Sequence, residues 1–395
     1  MKATGIIVEY NPFHNGHLLH LREARKQTDA DVIIAVMSGS FLQRGEPALL
    51  PKWERAQMAI DAGVDLVVEL PFHFATQQAD IFANGAVDIL DALGVQTLFF
   101  GSENGDADAF TQTAKLLTEQ SIPFKAAMGR FLEDKANSYA VAWNLAIREI
   151  APNLALDLAQ PNNILGFHYT RAIIEQRKRI EIATMTRQNA GYHDESPAHH
   201  SIASATAIRR MLLANDWQSV KQYVPETTLA ILHKYRETYS FVSWDDFWPL
   251  LRYQLMMAPT SQLQAIRGVS EGIENRLQQA TQLATNFDEF LGAVTTKRYS
   301  SARIKRISLQ ILAQQAQTKA PIQNYIRLLG MSSAGQRYLS QVKKVATLPI
   351  VSTASKTDPA LIQKDVLATK LYSLSPSLGD QLLRDYHTSP YRKKL

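Results

Sequence analysis

The sequence predicts an α/β protein, in which a Rossmann-like parallel sheet is followed by a mainly α-helical C-terminal domain. In the first hundred residues, short β-branched runs alternate with segments of helical length and period; the runs are TGIIVEY, ADVIIAVMSG, VDLVVELP and VQTLFFGSE. Near-continuous apolar strands joined by helical crossovers are typical of a parallel sheet covered on both faces. After about residue 215 the strand signals stop, and helical segments rich in Gln and Leu follow.

The remaining elements of the α/β part follow in chain order. Apolar residues at helical spacing predict helices in HLLHLREARKQ, KWERAQMAIDAG, ADIFANGAVDILDALG, EDKANSYAVAWNLAIREI and NILGFHYTRAIIEQRKR. Two further strands are predicted at IPFKAAMG and IEIATMTR. We therefore assign residues 1–215 to the α/β domain. Residues 216–395 form the helical domain, with at most a short strand at VATLPIVST, a loop at STASKTDP and a basic tail at SPYRKKL.

Composition excludes several classes of protein. The chain has 395 residues, of which 46% are hydrophobic, and no apolar run approaches the roughly 20 residues that span a bilayer. It has no cysteine, which excludes a disulfide framework, a thiolate nucleophile and a cysteine metal site. No membrane association is expected, and a cytoplasmic location is the default.

The charge is distributed unevenly. Residues 216–395 carry 23 Lys and Arg against 13 Asp and Glu, a net charge of +10, whereas residues 1–215 carry −5. Residues 290–357 contain eleven Lys or Arg and no Asp or Glu. Solvated protein surfaces usually mix both signs. The asymmetry favours a polyanionic partner for the C-terminal half.

The segment EYNPFHNGH, at the end of the first predicted strand, holds the strongest functional signal. In an open parallel sheet, ligands bind beyond the carboxyl ends of the strands, and a helix N-terminus presents backbone N–H groups to anions. Gly16 allows close approach of a phosphate or a flat ring, and His14 and His17 can point to the same place. Two imidazoles can donate hydrogen bonds to oxygens that gain charge during substitution at the α-phosphorus of a triphosphate.

Two other interpretations of these histidines are open. His14, His17 and His20 could bind a metal ion, although no carboxylate follows at metalloprotease spacing. The histidines could also be incidental residues of a polar loop.

The segment GIIVEYNPFHNGH resembles the signature of the nucleotidyltransferase superfamily that shares the H-x-G-H motif with class I aminoacyl-tRNA synthetases. That superfamily often carries a second motif, I-S-S-T-x-I-R, which is similar to ASATAIR at residues 203–209. The resemblance implies that Ser204, Thr206 and Arg209 bind the β- and γ-phosphates. Ala203 and Ala205 depart from the motif, and helix capping by Ser and Thr is the alternative role.

A more specific resemblance extends over nearly the whole chain. The motifs EYNPFHNGH, SGSFLQRGEPA, VELP, FGSE, PNNILG, TRQNAGYHD, SATAIR, TKRYSSARIKR and RLLGM together, in this order, resemble the bacterial tRNA(Met) cytidine acetate ligase family. Membership implies ATP-dependent formation of N4-acetylcytidine at the wobble position, C34, of elongator tRNA(Met). Acetate would be activated as acetyl-adenylate with release of pyrophosphate, and Mg²⁺ would be bound through the nucleotide phosphates.

The resemblance also implies the residues of the ATP site. His14 and His17 would be catalytic. The ATP-binding residues would be Ile7, Val8, Glu9, Tyr10, Asn11, Pro12, Phe13, His14, Asn15, Gly16, His17, Leu18, Leu19, His20, Gly101, Asn162, Arg187 and Gln188.

The acceptor RNA would bind to the basic C-terminal half, residues 216–395. The segment TTKRYSSARIKR, residues 295–306, lies at a predicted helix start and offers five cations as candidate tRNA contacts: Lys297, Arg298, Arg303, Lys305 and Arg306. Such phosphate contacts give affinity and position but little sequence choice. Tyr299 or Tyr325 could stack on a base, with core packing as the alternative.

Two other polar segments have open roles. Arg44 could contact phosphate or RNA, or form a salt bridge with Glu46 or Glu54. Residues 191–200, with His193, His199 and His200, could bind metal or form a polar loop at the mouth of the site.

Two rival functions explain less of the sequence. A small-molecule adenylyltransferase would leave the basic helical half without a role. A non-catalytic RNA-binding protein with a nucleotidyltransferase fold would leave His14, Gly16 and His17 unexplained. A class I synthetase is disfavoured because no K-M-S-K-S segment is present.

Overall fold

A mostly parallel sheet forms the centre of the computed structural model, which describes residues 1–134, 136–137, 139–152, 154, 156–187, 202–318, 322–379 and 384–393. Within these ranges the strands are β1 (Ala3–Val8), β2 (Val32–Ser38), β3 (Leu66–Leu70), β4 (Thr97–Ser102), β5 (Glu181–Thr186), β6 (Ile326–Met331), β7 (Ile350–Val351) and β8 (Tyr391–Arg392). Their order is β5-β4-β1-β2-β3-β6-β7, and β8 also pairs with β6. Only the β3–β6 pair is antiparallel among these strands.

Helices cover the sheet and build the C-terminal half. In the first half they are α1 (Asn15–Thr28), α2 (Lys52–Asp61), α3 (Phe72–Ala75), α4 (Ala79–Ala92), α5 (Ala107–Glu119), α6 (Ser121–Glu133), α7 (Tyr139–Ile150), α8 (Pro161–Glu175) and α9 (Ala205–Leu213). They continue with α10 (Trp217–Tyr223), α11 (Glu226–Arg236), α12 (Trp248–Met257), α13 (Thr260–Gln264), α14 (Ile273–Leu283), α15 (Phe287–Val294), α16 (Ser301–Leu312), α17 (Ser333–Val342), α18 (Pro359–Tyr372) and α19 (Arg384–His387). Short 3-10 helices lie at Trp244–Asp246, Ala354–Lys356 and Pro376–Leu378.

The predicted α/β class is confirmed, and β2 shows why the sequence indicated it. Ile33, Ala35 and Met37 pack into one hydrophobic core, whereas alternate residues of the same strand pack into a second core on the opposite face. A strand buried on both faces has no polar side, so it appears in the sequence as a continuous apolar run. No helix in the described part of the chain is long and apolar enough to cross a membrane.

The strand predicted at IPFKAAMG is wrong, because these residues belong to α6. Phe124, Ala127 and Met128 are buried, whereas Ile122 is 82% exposed. Burial at positions spaced by three and four residues is the pattern of a helix with one apolar face. The β-branched start of the segment suggested a strand, but the spacing of its later apolar residues decides the structure.

The expectation that strand signals stop after residue 215 is also wrong. The segment around RLLGM forms β6, which is buried throughout and pairs with β3 of the first half. The short strand expected in VATLPIVST is present as β7, and the tail SPYRKKL contributes β8. The boundary at residue 215 stays a prediction, but strands from both sides of it share one sheet.

A buried cluster of charges joins the C-terminal half to this sheet. Lys52 Nζ, on α2, lies 2.8 Å from Glu69 Oε2 of β3 and 2.8 Å from Asp385 Oδ1 of α19. Arg327 of β6 donates to the backbone oxygen of Asp385 at 2.9 Å. All four side chains are almost fully buried. Because the loss of one partner would leave a buried charge uncompensated, the cluster holds these four elements together.

Arg55, on α2, is fully buried and holds the carboxyl ends of β1 and β2 together. Its Nη1 donates to the backbone oxygens of Glu9 at 2.6 Å and of Ser38 at 3.0 Å. Its Nη2 donates to the oxygen of Gly39, and its Nε to that of Leu50 at 3.1 Å. Burial lowers the pKa of Arg55, and these carbonyl groups compensate the buried charge.

We expect Arg55→Met to lower the free energy of unfolding by roughly 3 to 5 kcal/mol, because the buried carbonyl groups lose their donor. Urea denaturation measures the change. The matched control is Arg22→Met, which removes an exposed arginine from α1 and should shift the free energy of unfolding by less than about 0.5 kcal/mol. Equal urea midpoints for the two variants would contradict this role of Arg55.

Candidate active site at the carboxyl ends of β1, β4 and β5

The loop between β1 and α1 carries the histidine motif and is anchored by its own buried side chains. Tyr10 and Phe13 are buried in the core, with ring centroids 4.7 Å apart. Asn11 Oδ1 accepts a hydrogen bond from the backbone N–H of Leu49 at 2.7 Å. Tyr10 has φ of 50° and the Asn11–Pro12 peptide bond is cis. These buried contacts fix the path of the loop at the carboxyl end of β1.

His14 and His17 form a stacked pair at the start of α1. Their ring centroids are 3.7 Å apart with an interplanar angle of 25°. His14 Nδ1 accepts a hydrogen bond from the N–H of Gly16 at 3.1 Å, and His17 Nδ1 accepts one from the N–H of His14 at 3.3 Å. Because Nδ1 is an acceptor in both rings, each neutral ring carries its proton on Nε2. The pair can therefore donate two hydrogen bonds from its Nε2 atoms.

Burial keeps these histidines uncharged. Burial, together with the nearby Arg187, lowers the pKa of His14 to about 3 and of His20 to about 4. The pKa of His17 is also well below its ordinary value, first through burial and then through His14, His20 and Arg187. At neutral pH the three rings are polar but carry no charge, so the fixed positive charge beside them belongs to Arg187.

Two glycines provide room for the side chains around the pair. A Cβ on Gly16 would lie 2.9 Å from His14 Cε1, and one on Gly101 would lie 3.0 Å from Arg187 Cγ and 3.8 Å from His20 Cδ2. The two shorter distances are closer than Cβ atoms normally approach, whereas 3.8 Å is an ordinary van der Waals contact. The structure thus brings Gly101 of β4, Arg187 after β5 and the histidine helix α1 to one place.

Asn162 joins the same group. Arg187 Nη1 donates a hydrogen bond to Asn162 Oδ1 at 2.8 Å. Asn162 lies in the first turn of α8, where its Nδ2 donates to Glu103 Oε1 at 2.6 Å. Glu103 was not predicted from the sequence as a site residue. Gln188, the other predicted ATP-binding residue in this region, lies outside the described residues, as do residues 191–200.

The residues of the first motif differ in exposure. Val8, Tyr10, Asn11, Pro12, Phe13 and His14 are buried, whereas Ile7, Glu9, Asn15, Gly16, His17, Leu18, Leu19 and His20 are half-buried. Glu9 Oε1 accepts from the N–H of Gln43 at 2.8 Å, and burial raises the pKa of this carboxyl group. Asn15 Nδ2 donates to the oxygen of Gln222 at 3.0 Å. The predicted set therefore contains buried supports as well as accessible groups.

The second motif packs on the first. Arg209 Nη1 donates to the backbone oxygen of Asn11 at 3.1 Å, and Nη2 donates to Thr206 Oγ1 at 3.2 Å. Arg209 also forms an ion pair with Glu46 at 3.1 Å. Ser204 caps α9, since its hydroxyl accepts from the N–H of Ala207 at 3.2 Å. Thr206 and Arg209 thus lie beside the histidine loop.

Three of the predicted tRNA-binding cations pair with two glutamates. Glu271 pairs with Arg298 at 2.9 Å and with Arg303 at 3.3 Å, and Lys297 beside them is exposed. Lys305, in α16, pairs with Glu46 at 2.9 Å.

Arg306 and the two candidate stacking tyrosines are less accessible. Arg306 donates to the oxygen of Gln43 at 3.4 Å, and burial lowers its pKa to about 10. Tyr325 is buried and donates to Asp365 Oδ2 at 2.6 Å, so core packing is its role. Tyr299 is half-buried, with the guanidinium of Arg303 5.0 Å from its ring centroid.

Arg44 is exposed on the loop after β2. Glu46 pairs with Arg209 and Lys305, and Glu54 pairs with Arg384. The salt bridge considered for Arg44 is absent from the ion pairs of the described ranges. Glu46 itself, which contacts both the second motif and α16, was not recognised as a site residue from sequence.

Comparison with known proteins gives one consistent family. The family model for the HIGH nucleotidyl transferases matches residues 1–384. The tRNA(Met) cytidine acetate ligase of Listeria monocytogenes serovar 1/2a is 53% identical over 390 residues, covering 99% of both chains. The ligase of the same name from Anoxybacillus flavithermus is 47% identical over 407 residues, covering 99% of this chain and all of the relative.

Two solved structures are similar over their full length. The crystal structure of Thermotoga maritima TmcAL in its apo form superposes with a TM-score of 0.91 at 35% identity. The structure of the same protein bound with alpha-thio ATP superposes with a TM-score of 0.89 at 34% identity. Both cover 100% of this chain and 100% of the neighbour.

The lowered pKa of His20 predicts a pH-dependent stability. Between its ordinary value of 6.5 and about 4, the unfolded chain binds a proton that the folded chain does not. Stability should therefore fall as the pH drops through this window. His20→Gln should lose less stability than the wild type between about pH 7 and about pH 4.5, as measured by urea midpoints. Identical losses in the two proteins would contradict the lowered pKa of His20.

Proposed function

This chain belongs to the tRNA(Met) cytidine acetate ligase family, and we propose that it uses ATP to join acetate to N4 of the wobble cytidine, C34, of elongator tRNA(Met). The observation that carries the proposal is the stacked, uncharged His14–His17 pair at the N-terminus of α1, with Arg187 beside it. The catalytic histidines, the ATP contacts and the tRNA contacts named below are parts of this proposal. A reaction on tRNA also agrees with a location in the cytoplasm.

The first step activates acetate. A carboxylate oxygen of acetate attacks the α-phosphorus of ATP, the bond from that phosphorus to the bridging β-phosphate oxygen breaks, and pyrophosphate leaves. Negative charge grows on the phosphate oxygens in the transition state. The Nε2–H groups of His14 and His17 would donate to these oxygens from rings that hydrogen bonds to both Nδ1 atoms already orient, and such preoriented donors stabilise developing charge best.

Arg187 and the second motif would hold the rest of the nucleotide. Arg187 has a planar, permanently charged guanidinium group suited to phosphate, and Gly101 leaves space for its side chain. Arg209 and Thr206 lie beside the histidine loop, where the β- and γ-phosphates are proposed to bind. Mg²⁺ would enter with ATP, since phosphate oxygens and water are its usual ligands at such sites, and it would neutralise phosphate charge.

The second step transfers the acetyl group. The exocyclic N4 of cytosine is a weak nucleophile because its lone pair is delocalised into the ring, so it needs an activated acyl donor. N4 attacks the acetyl carbon of acetyl-adenylate, AMP leaves, and N4 loses one proton. A wobble base lies in an RNA loop, so its presentation to the site should require less unstacking than extrusion from a duplex.

The basic segment would position the tRNA. Arg298 and Arg303 pair with Glu271, the exposed Lys297 precedes Arg298 in the chain, and Lys305 connects through Glu46 to Arg209. Cations in this arrangement can bind the phosphate backbone close to the catalytic loop.

Pyrophosphate release, measured with ATP and acetate in the presence and absence of tRNA, tests the proposed function. The ligase releases pyrophosphate only when acetate is present, and transfers labelled acetate to tRNA(Met). Release that requires a phosphorylated metabolite instead would indicate a small-molecule adenylyltransferase. No release, together with tight tRNA binding, would indicate a non-catalytic RNA-binding protein.

His17→Asn should lower acetate-dependent pyrophosphate release by at least about 100-fold, because a donor to the developing charge is lost. Its affinity for tRNA should stay close to that of the wild type.

The double variant Lys297→Ala, Arg298→Ala should bind tRNA more weakly, and the salt dependence of its binding should fall by up to about two counterions. Its pyrophosphate release in the absence of tRNA should stay at the wild-type rate. The matched control for the histidine is His233→Asn, at an exposed position on α11. If either variant loses both properties while folded, this division of roles is wrong.

Gly16→Ala should disturb the histidine pair, since the new Cβ would lie 2.9 Å from His14 Cε1 and 3.1 Å from its Nδ1. We expect pyrophosphate release to fall by roughly 10- to 100-fold, as for other small displacements of catalytic groups. Gly129→Ala on α6 is the matched control, because no atom outside its own turn lies within 4 Å of the added Cβ. Wild-type rates for Gly16→Ala would show that the position of His14 is not critical.

A further inference from the structure

We propose that Glu103 is a positioning residue, which sets the orientation of the Asn162 amide and, through it, the place of the Arg187 guanidinium group. Glu103 ends the segment FGSE and is not among the ATP-binding residues that the family resemblance implies. The inference rests on the proposed function, in which Arg187 binds the nucleotide.

The Glu103 carboxylate accepts hydrogen bonds with both of its oxygens. Oε1 accepts from Asn162 Nδ2 at 2.6 Å and from the N–H of Asn162 at 3.3 Å. Oε2 accepts from the N–H of Asn163 at 2.8 Å. These groups lie in the first turn of α8, whose N-cap residue Gln160 supplies no side-chain hydrogen bond. Glu103 therefore caps α8 from the loop after β4 and binds the Asn162 side chain at the same time.

Asn163 fixes Glu103 in return. Its Oδ1 accepts from the N–H of Glu103 at 3.0 Å and from the N–H of Asn104 at 3.1 Å, and its Nδ2 donates to the oxygen of Asp157 at 2.9 Å. Asn163 is 2% exposed. The loop after β4 and the start of α8 are thus locked to each other by reciprocal hydrogen bonds, which leaves the Glu103 carboxylate in one place.

A carboxylate accepts hydrogen bonds and does not donate them, so only one orientation of the Asn162 amide satisfies it. With Nδ2 directed at Glu103, Oδ1 is directed at Arg187, whose Nη1 donates to it at 2.8 Å. Reversing the amide would place Oδ1 against the carboxylate and NH₂ against the guanidinium group, which are repulsive contacts at both ends. Glu103 thereby keeps the long, exposed Arg187 side chain at the edge of the histidine site before a nucleotide arrives.

An exchange of the two functional groups tests this chain of hydrogen bonds. In Glu103→Gln, one of the two carboxylate oxygens becomes an NH₂ group and faces a donor. In Asn162→Asp, two carboxylates face each other across a contact that is 2.6 Å long in the wild type. In the double variant, the introduced amide at position 103 donates its NH₂ group to one oxygen of the introduced carboxylate at position 162, and the other oxygen of that carboxylate accepts from Arg187.

Acetate-dependent pyrophosphate release and ATP binding by calorimetry are both measured for the three variants. Each single variant should lower kcat/KM for ATP and the ATP affinity by roughly 10- to 100-fold, as expected when a hydrogen bond to a charged group is lost. The double variant should recover most of both losses. Asp106→Asn is the matched control: it makes the same carboxylate-to-amide change at the cap of α5, where Asp106 accepts from the N–H groups of Asp108 and Ala109, and should behave as the wild type.

Wild-type behaviour of the single variants would overturn the proposal. So would a double variant that folds with a wild-type melting temperature but is no better than the worse single variant, because Glu103 would then be a helix cap alone. If the wild-type protein binds ATP without acetate-dependent release, the proposed function fails, and the ATP affinities of the same set still decide the role of Glu103. If the wild-type protein does not bind ATP, both proposals fail.

Discussion

The buried guanidinium group of Arg55 is the interaction on which the site depends most. It binds backbone carbonyl groups at the ends of β1 and β2, and in the loop that leads to α2. Parallel strands end in carbonyl groups that the sheet itself does not satisfy, and here these groups are removed from water. One buried side chain thus satisfies the carbonyl groups at the carboxyl ends of β1 and β2. The histidine loop leaves β1 at this same end of the sheet.

The second half of the chain completes the sheet as well as the basic surface. Through β6 it pairs with β3, and Lys52, Glu69, Arg327 and Asp385 connect residues more than 300 positions apart in sequence. Because these charges are buried together, separation of the two halves would leave each charge without its ion-pair partners. The histidine loop is connected through Arg209, Glu46 and Lys305 to α16, which carries three of the proposed RNA contacts.

The α/β class, the family and the strands β1 to β5 could be predicted from the sequence, since these depend on local patterns and motifs. The additional strand predicted at IPFKAAMG is part of α6. The other elements depend on partners distant in the chain. The six residues of β6 are all buried, and its apolar residues are interrupted by the charged Arg327, so the segment has no period that separates it from a helix. Arg55 and Glu103 look like ordinary surface charges until the carbonyl groups and amides that they contact are brought near. The roles of Glu46 and Glu271 likewise depend on contacts that form only after folding.

The absence of formal charge on the stacked imidazoles has a consequence for turnover. Cationic rings would attract the ground-state triphosphate and the departing pyrophosphate as strongly as the pentavalent arrangement between them. Dipolar N–H groups respond mainly to charge that accumulates during bond exchange, which is the condition for accelerating a reaction and not merely tightening substrate capture. In the proposed mechanism, the uncharged state of His14 and His17 would therefore favour the reaction without retarding the release of a highly charged product.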